Sequence, residues 1–80
     1  MKTYTACDLY ERIDASFVKS LSGKYVIVYL DNGKWRQGRG FASADCSEFK
    51  MPTSDGYFTL VTENKLAEHV EGIDVFAAEI

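Results

Sequence analysis

Few residues in this chain could carry covalent chemistry. Cys7 and Cys46 are its two cysteines and His69 its one histidine. A thiol nucleophile needs a base within hydrogen-bond reach and a third group to orient that base. No spacing here places either cysteine beside His69. A lone cysteine more often behaves as a small buried hydrophobe. Two cysteines build no disulfide framework and leave a zinc set incomplete. The carboxylate pairs Asp45/Glu48 and Glu68/Glu71 bring like charges together on a turn or helix, which suits solvated surface. Gly38-Arg-Gly40 lacks the third glycine of a dinucleotide loop and the Lys-Ser/Thr of a phosphate loop. The chain reads as non-catalytic, without metal or cofactor.

Binding chemistry is better served. Lys34, Trp35, Arg36 and Arg39, with Lys24 and Tyr29 across a hairpin, interleave cations and aromatics. Such a surface stacks bases on its rings while the cations meet phosphates, at ~1–3 kcal/mol per stacked base. The plainer alternative packs Trp35 on a helix and leaves the charges as a solvated strand face. Residues 1–40 carry seven basic groups against four acidic, and residues 41–80 carry two against eight. With a pI near 5.0, charge alone does not hold nucleic acid, but a local basic strip on an acidic body is allowed. Glu63, Glu68, Glu71, Asp74 and Glu79 form a second candidate surface, one that a basic partner could meet, as small phage-encoded nucleic-acid mimics do.

The elements that must position these groups fit one domain. Eighty residues, 46% hydrophobic and 14% aromatic, are too apolar for disorder and too few for two cores. No apolar run reaches the ~18 residues of a membrane span, and no basic-then-apolar leader opens the chain, so a cytoplasmic protein is expected. Leu9, Ile13, Phe17 and Leu21, with Tyr10 and Val18 beside them, predict one helix over residues 8–21, capped by Asp8 and Glu11 and stopped at Gly23. Tyr25–Leu30 and Trp35–Phe41 predict a hairpin closed by a two-residue Asn32-Gly33 turn. That register pairs Tyr29 with Arg36 and sets Gly38 and Gly40 on the Tyr25/Ile27/Tyr29 face. Strands follow near Phe49–Met51, Tyr57–Val61 and Ile73–Ile80, with a short helix from Thr62 to about Glu71 before the last. The expected fold is α+β: an N-terminal helix, then a strongly bent five-stranded antiparallel barrel.

The stretch Val28-Tyr-Leu-Asp-Asn-Gly-Lys-Trp-Arg-Gln-Gly38, behind a helix bearing Phe17 and Leu21, resembles the first motif of Sm-like proteins of the bacterial host-factor type. The resemblance implies a small barrel, assembly into a ring and binding of single-stranded RNA. It also implies that Asp45 matches the aspartate opening the loop that lines that ring. Asp45 stands one residue further from Gly38 than that pattern has it, and the acidic stretch Lys65–Ile80 lacks the second motif. Three functions follow as expectations. The first is a non-catalytic interaction module that forms homo-oligomers. The second is an Sm-like RNA-binding protein, and the third an inhibitor of a nucleic-acid-processing complex working through acidic surface.

Overall fold

The computed structural model describes residues 1–54, 56–62 and 72–80. Among these residues, seven strands and two short helices run in the order β1 (Lys2–Thr5), α1 (Ala6–Arg12), α2 (Ala15–Leu21), β2 (Tyr25–Leu30), β3 (Trp35–Arg39), β4 (Phe41–Ala42), β5 (Glu48–Thr53), β6 (Gly56–Val61) and β7 (Ile73–Ala78). The strands form two antiparallel sheets, ordered β1-β7-β2-β3 and β4-β5-β6. This corrects the expected five-stranded barrel. The chain is dominated by strand, and its described sheets do not close on one another. The helix expected between Thr62 and Glu71 lies outside the described residues.

The single N-terminal helix is also corrected, to a strand and two helices. Thr5 rather than Asp8 caps α1: its Oγ1 accepts from the Asp8 N–H at 3.2 Å, and Asp8 Oδ2 accepts from the Thr5 N–H at 3.0 Å. This reciprocal box places a carboxylate at the positive end of the helix. Ile13 and Asp14 then leave helical geometry, and Asp14 Oδ1 accepts from the Phe17 N–H at 2.8 Å, starting α2. Leu9, Ile13, Val18 and Leu21 still face the core, whereas Tyr10 is exposed.

The hairpin stands where Asn32-Gly33 places it, but its register differs by one residue. Tyr29 pairs with Trp35, Val28 with Arg36, Ile27 with Gln37 and Val26 with Gly38. Gly33 N–H donates to the Leu30 carbonyl at 3.1 Å and Leu30 N–H to the Lys34 carbonyl at 2.8 Å. With φ +84° at Gly33, this is a three-residue loop, a type I turn followed by a left-handed glycine. Because side chains alternate, a slip of one residue exchanges the two faces of β3. Gly38 thus belongs to the inner face, with Val26 and Val28. A Cβ on it would stand 3.0 Å from the Pro52 carbonyl.

Gly40 turns the chain from one sheet into the other. Its carbonyl accepts from the Gly23 N–H at 2.8 Å, ending the β2–β3 pairing, and β4 then pairs with β5. Between the sheets lies the core. Val26, Val28, Phe76 and Ala78 meet Phe49, Met51 and Leu60, with Leu9, Val18 and Leu21 of the helices closing the side. β7 holds the centre of the larger sheet, paired on one edge with β1 and on the other with β2. A bulge at its start, where Leu30 pairs with Ile73 and Tyr29 with Val75, leaves Asp74 as the extra residue. No described helix is long and apolar enough to cross a membrane.

Candidate functional site

With helices and second sheet gathered on the inner face, the described residues leave Tyr29, Trp35, Gln37 and Arg39 exposed on the outward face of β7, β2 and β3. On that face Ile27 and Val75 are half-buried and Ala77 is buried. Its residues follow from register and alternation. Val75, Tyr29 and Trp35 form one row across the three strands, and Ala77, Ile27 and Gln37 the next. A third row holds Tyr25 and Arg39, with Glu79 donating its N–H to the Tyr25 carbonyl at 3.1 Å. Tyr29 and Trp35 are 47% and 50% exposed. An indole and a phenol standing half in water side by side are large apolar surfaces kept out of the core. The Tyr25 hydroxyl donates to Gln37 Oε1 at 2.6 Å, and Arg39 Nη1 donates to the Gly23 carbonyl at 2.5 Å. Both bonds lie on the same side of the Tyr29–Trp35 row, where they fix a polar rim.

Of the cation–aromatic set expected from sequence, Tyr29, Trp35 and Arg39 thus share this face. Lys34 lies in the turn beside Trp35, its N–H donating to Asn32 Oδ1 at 3.0 Å. Lys24 is exposed just ahead of β2. Arg36 has the opposite parity and is half-buried, with Nη1 donating to the Trp35 carbonyl at 2.9 Å. It lines an open cleft of about 300 Å³ with Trp35, Gln37, Thr53 and Ser54. Of the acidic set, Glu63, Glu68 and Glu71 lie outside the described residues. Asp74 and Glu79 flank opposite ends of β7, roughly 17 Å apart at strand rise, so these two form no cluster.

Sequence reasoning missed the part of the face that β7 supplies. The signal was present: Val75-Phe-Ala-Ala78 is apolar at both parities, as befits a central strand with two non-polar faces. It also missed a smaller group on the other sheet, where Lys50 Nζ stands 5.1 Å from the centre of the exposed Tyr57 ring and pairs in register with Phe41.

Asp45 belongs to the loop between β4 and β5, on the second sheet. One of its oxygens, Oδ1, accepts from Ser47 Oγ at 2.7 Å, Ser43 Oγ at 2.9 Å and the Ser47 N–H at 3.0 Å. These bonds, the Ser47 hydroxyl foremost, hold the carboxylate down at about 2. Its work in this chain is to tie a loop whose next residue, Cys46, takes φ +56°. A depressed carboxylate stabilises the fold above its ordinary value of 3.8 and loses that contribution as pH falls through about 2. Replacement Asp45→Asn should therefore lower the urea midpoint near pH 5. The gap to wild type should narrow as pH falls through about 2. Parallel curves over that range would show that the carboxylate charge does not hold the loop.

Among the described residues, no three His, Cys, Asp or Glu side chains converge as a metal site would require. His69 lies outside the described residues. Cys7 and Cys46 are free thiols. Comparison with protein families, with curated proteins and with solved structures finds no match to this chain.

Proposed function

We propose that this chain is a non-catalytic interaction module whose working surface is the outward face of its four-stranded sheet. The observation that carries this reading is the Tyr29–Trp35 pair, half exposed beside the half-buried Ile27 and Val75. Tryptophan and tyrosine supply much of the binding energy at interfaces, and contiguous apolar surface on a small domain marks a contact site. The free thiols suit a reducing compartment, and a cytoplasmic location is part of the reading. A second reading, single-stranded RNA on the same face, rests on the two adjacent rings, onto which bases could stack.

A photo-crosslinking phenylalanine derivative at position 35, in cells that express the protein, tests the face directly. Adducts should form from position 35 and not from position 10, which is equally exposed but lies on α1. Adducts carrying nucleotides would favour the RNA reading. Equal yields from both positions, or none from position 35, would overturn the interaction face.

A further inference from the structure

We propose that the occupant of this face is the same face of a second copy, packed about a two-fold axis that runs along β2. The proposal rests on the reading of the outward face as an interaction surface, and adds the partner and the geometry.

β7 and β3 flank β2 on opposite sides. A two-fold axis along β2 therefore lays β3 of one copy over β7 of the other and keeps every row at its height. Trp35 then covers the partner's Val75, and Gln37 covers the partner's Ala77. Tyr29, Ile27 and Tyr25 meet their own copies near the axis. In the third row Arg39 faces the partner's Glu79, and symmetry makes that contact twice. Off the axis, bulky residues meet small ones, and the one cation among the three rows meets the one anion. Sheets packed face to face stand about 10 Å apart with strands nearly aligned, a gap that an arginine and a glutamate together span. A guanidinium has five donors, so the one given to the Gly23 carbonyl leaves others for a carboxylate.

The same charge count argues against RNA as the principal occupant. Arg39 and Glu79 leave the three rows neutral, without the cationic excess that phosphates need. Ile27 and Val75, both half-buried, offer aliphatic surface that suits another apolar face better than a base. The three strands that overlap, five residues each, measure roughly 14 by 17 Å. Two such faces bury on the order of 500 Å² in total, well short of a standard interface. Weak association, in the high micromolar range, is therefore expected.

The test is light scattering and equilibrium sedimentation of the full chain from about 1 to 300 µM, with the emission of Trp35, the sole tryptophan, followed in parallel. The mass should rise from one chain toward two, and the emission should shift to the blue as the indole leaves water. Arg39→Glu and Glu79→Arg should each weaken the dimer at least tenfold by placing like charges together twice. The double replacement should restore it to within about threefold. Lys19→Glu, on the exposed side of α2, should change nothing. Because all three positions are exposed, unchanged melting temperatures separate lost association from lost folding. A single-chain mass across the range would overturn the dimer. If short oligouridine then quenched Trp35, the interaction face would stand with RNA as its partner. A dimer in which Trp35 stayed open to acrylamide quenching would overturn both this geometry and the face itself.

Discussion

Phe76→Ala should lower stability by about 3–5 kcal/mol, since truncation removes the ring's transfer energy and leaves a cavity that β-structure cannot collapse to fill. Phe76 has no solvent exposure and stands at the middle of the central strand. Its ring lies 6.5 Å from that of Tyr4 on β1 and 6.5 Å from that of Phe58 on β6. It thereby joins the two sheets rather than filling one of them. A domain of this size has roughly 4–12 kcal/mol of stability in all, so the loss removes a quarter or more of it. At about 4–8 °C per kcal/mol, the melting temperature should fall by about 12 °C or more, where the variant folds at all. Phe76→Leu, which keeps most of the volume, should fold and lose less. Tyr57→Ala, at a residue 67% exposed, sets the baseline near zero. A Phe76→Ala protein melting within about 5 °C of wild type would show that the sheets are joined elsewhere.

How legible these features were in the sequence depends on the range of the forces that set them. The hairpin was visible because Asp31-Asn32-Gly33 between two β-rich runs is local turn chemistry. Its register was not, since a glycine with positive φ serves both the two-residue and the three-residue loop. The two-residue turn also needs positive φ at Asn32, and among the described non-glycine residues only Cys46 has it. Burial agrees with that outcome: the inner face takes Val26 and Val28, and the outer one takes Tyr25 and Tyr29 with their hydroxyls in reach of water. Reading β2 by that criterion would have recovered the face on which Trp35 and Arg39 stand.

Other features depend on contacts distant in sequence. β1 is four residues with one buried side chain, Tyr4, and carries no strand signal of its own. It forms because β7 offers an edge to pair with. Asp14 fits within the four-residue stripe of a continuous helix, yet its short carboxylate competes for the Phe17 N–H and starts a new one. The candidate site was half legible for the same reason. Tyr29, Trp35 and Arg39 are neighbours through a local hairpin. Val75, Ala77 and Glu79 reach them through a strand more than thirty residues further along the chain.

Gly40→Ala should prove costlier than Gly33→Ala, although Gly33 is the glycine whose conformation the turn requires. At Gly33, φ is +84° and nothing lies within 4 Å of the place a methyl group would take. The cost there is conformational, about 1–2 kcal/mol for an L-residue in the left-handed region. Gly40 has an ordinary backbone and no space. A Cβ would fall 2.7 Å from Phe49 Cε2, closer still to Cζ, and 2.8 Å from the Lys50 carbonyl oxygen. The Phe49 ring is fully buried and cannot swing into water, and the carbonyl belongs to the strand that β4 pairs with. Either the corner between the sheets opens or the ring leaves its rotamer, and overpacking of this kind costs ~1–3 kcal/mol or more. The upper end is expected here, because two rigid neighbours must move together. Thermal melts of the two variants should therefore rank Gly40→Ala below Gly33→Ala. Adding Phe49→Leu to Gly40→Ala should recover part of the loss, since it removes the ring and leaves the carbonyl in place. A cycle in which the two replacements simply add would mean that the ring does not obstruct the corner. The bend between the sheets would then owe its glycine to something other than Phe49.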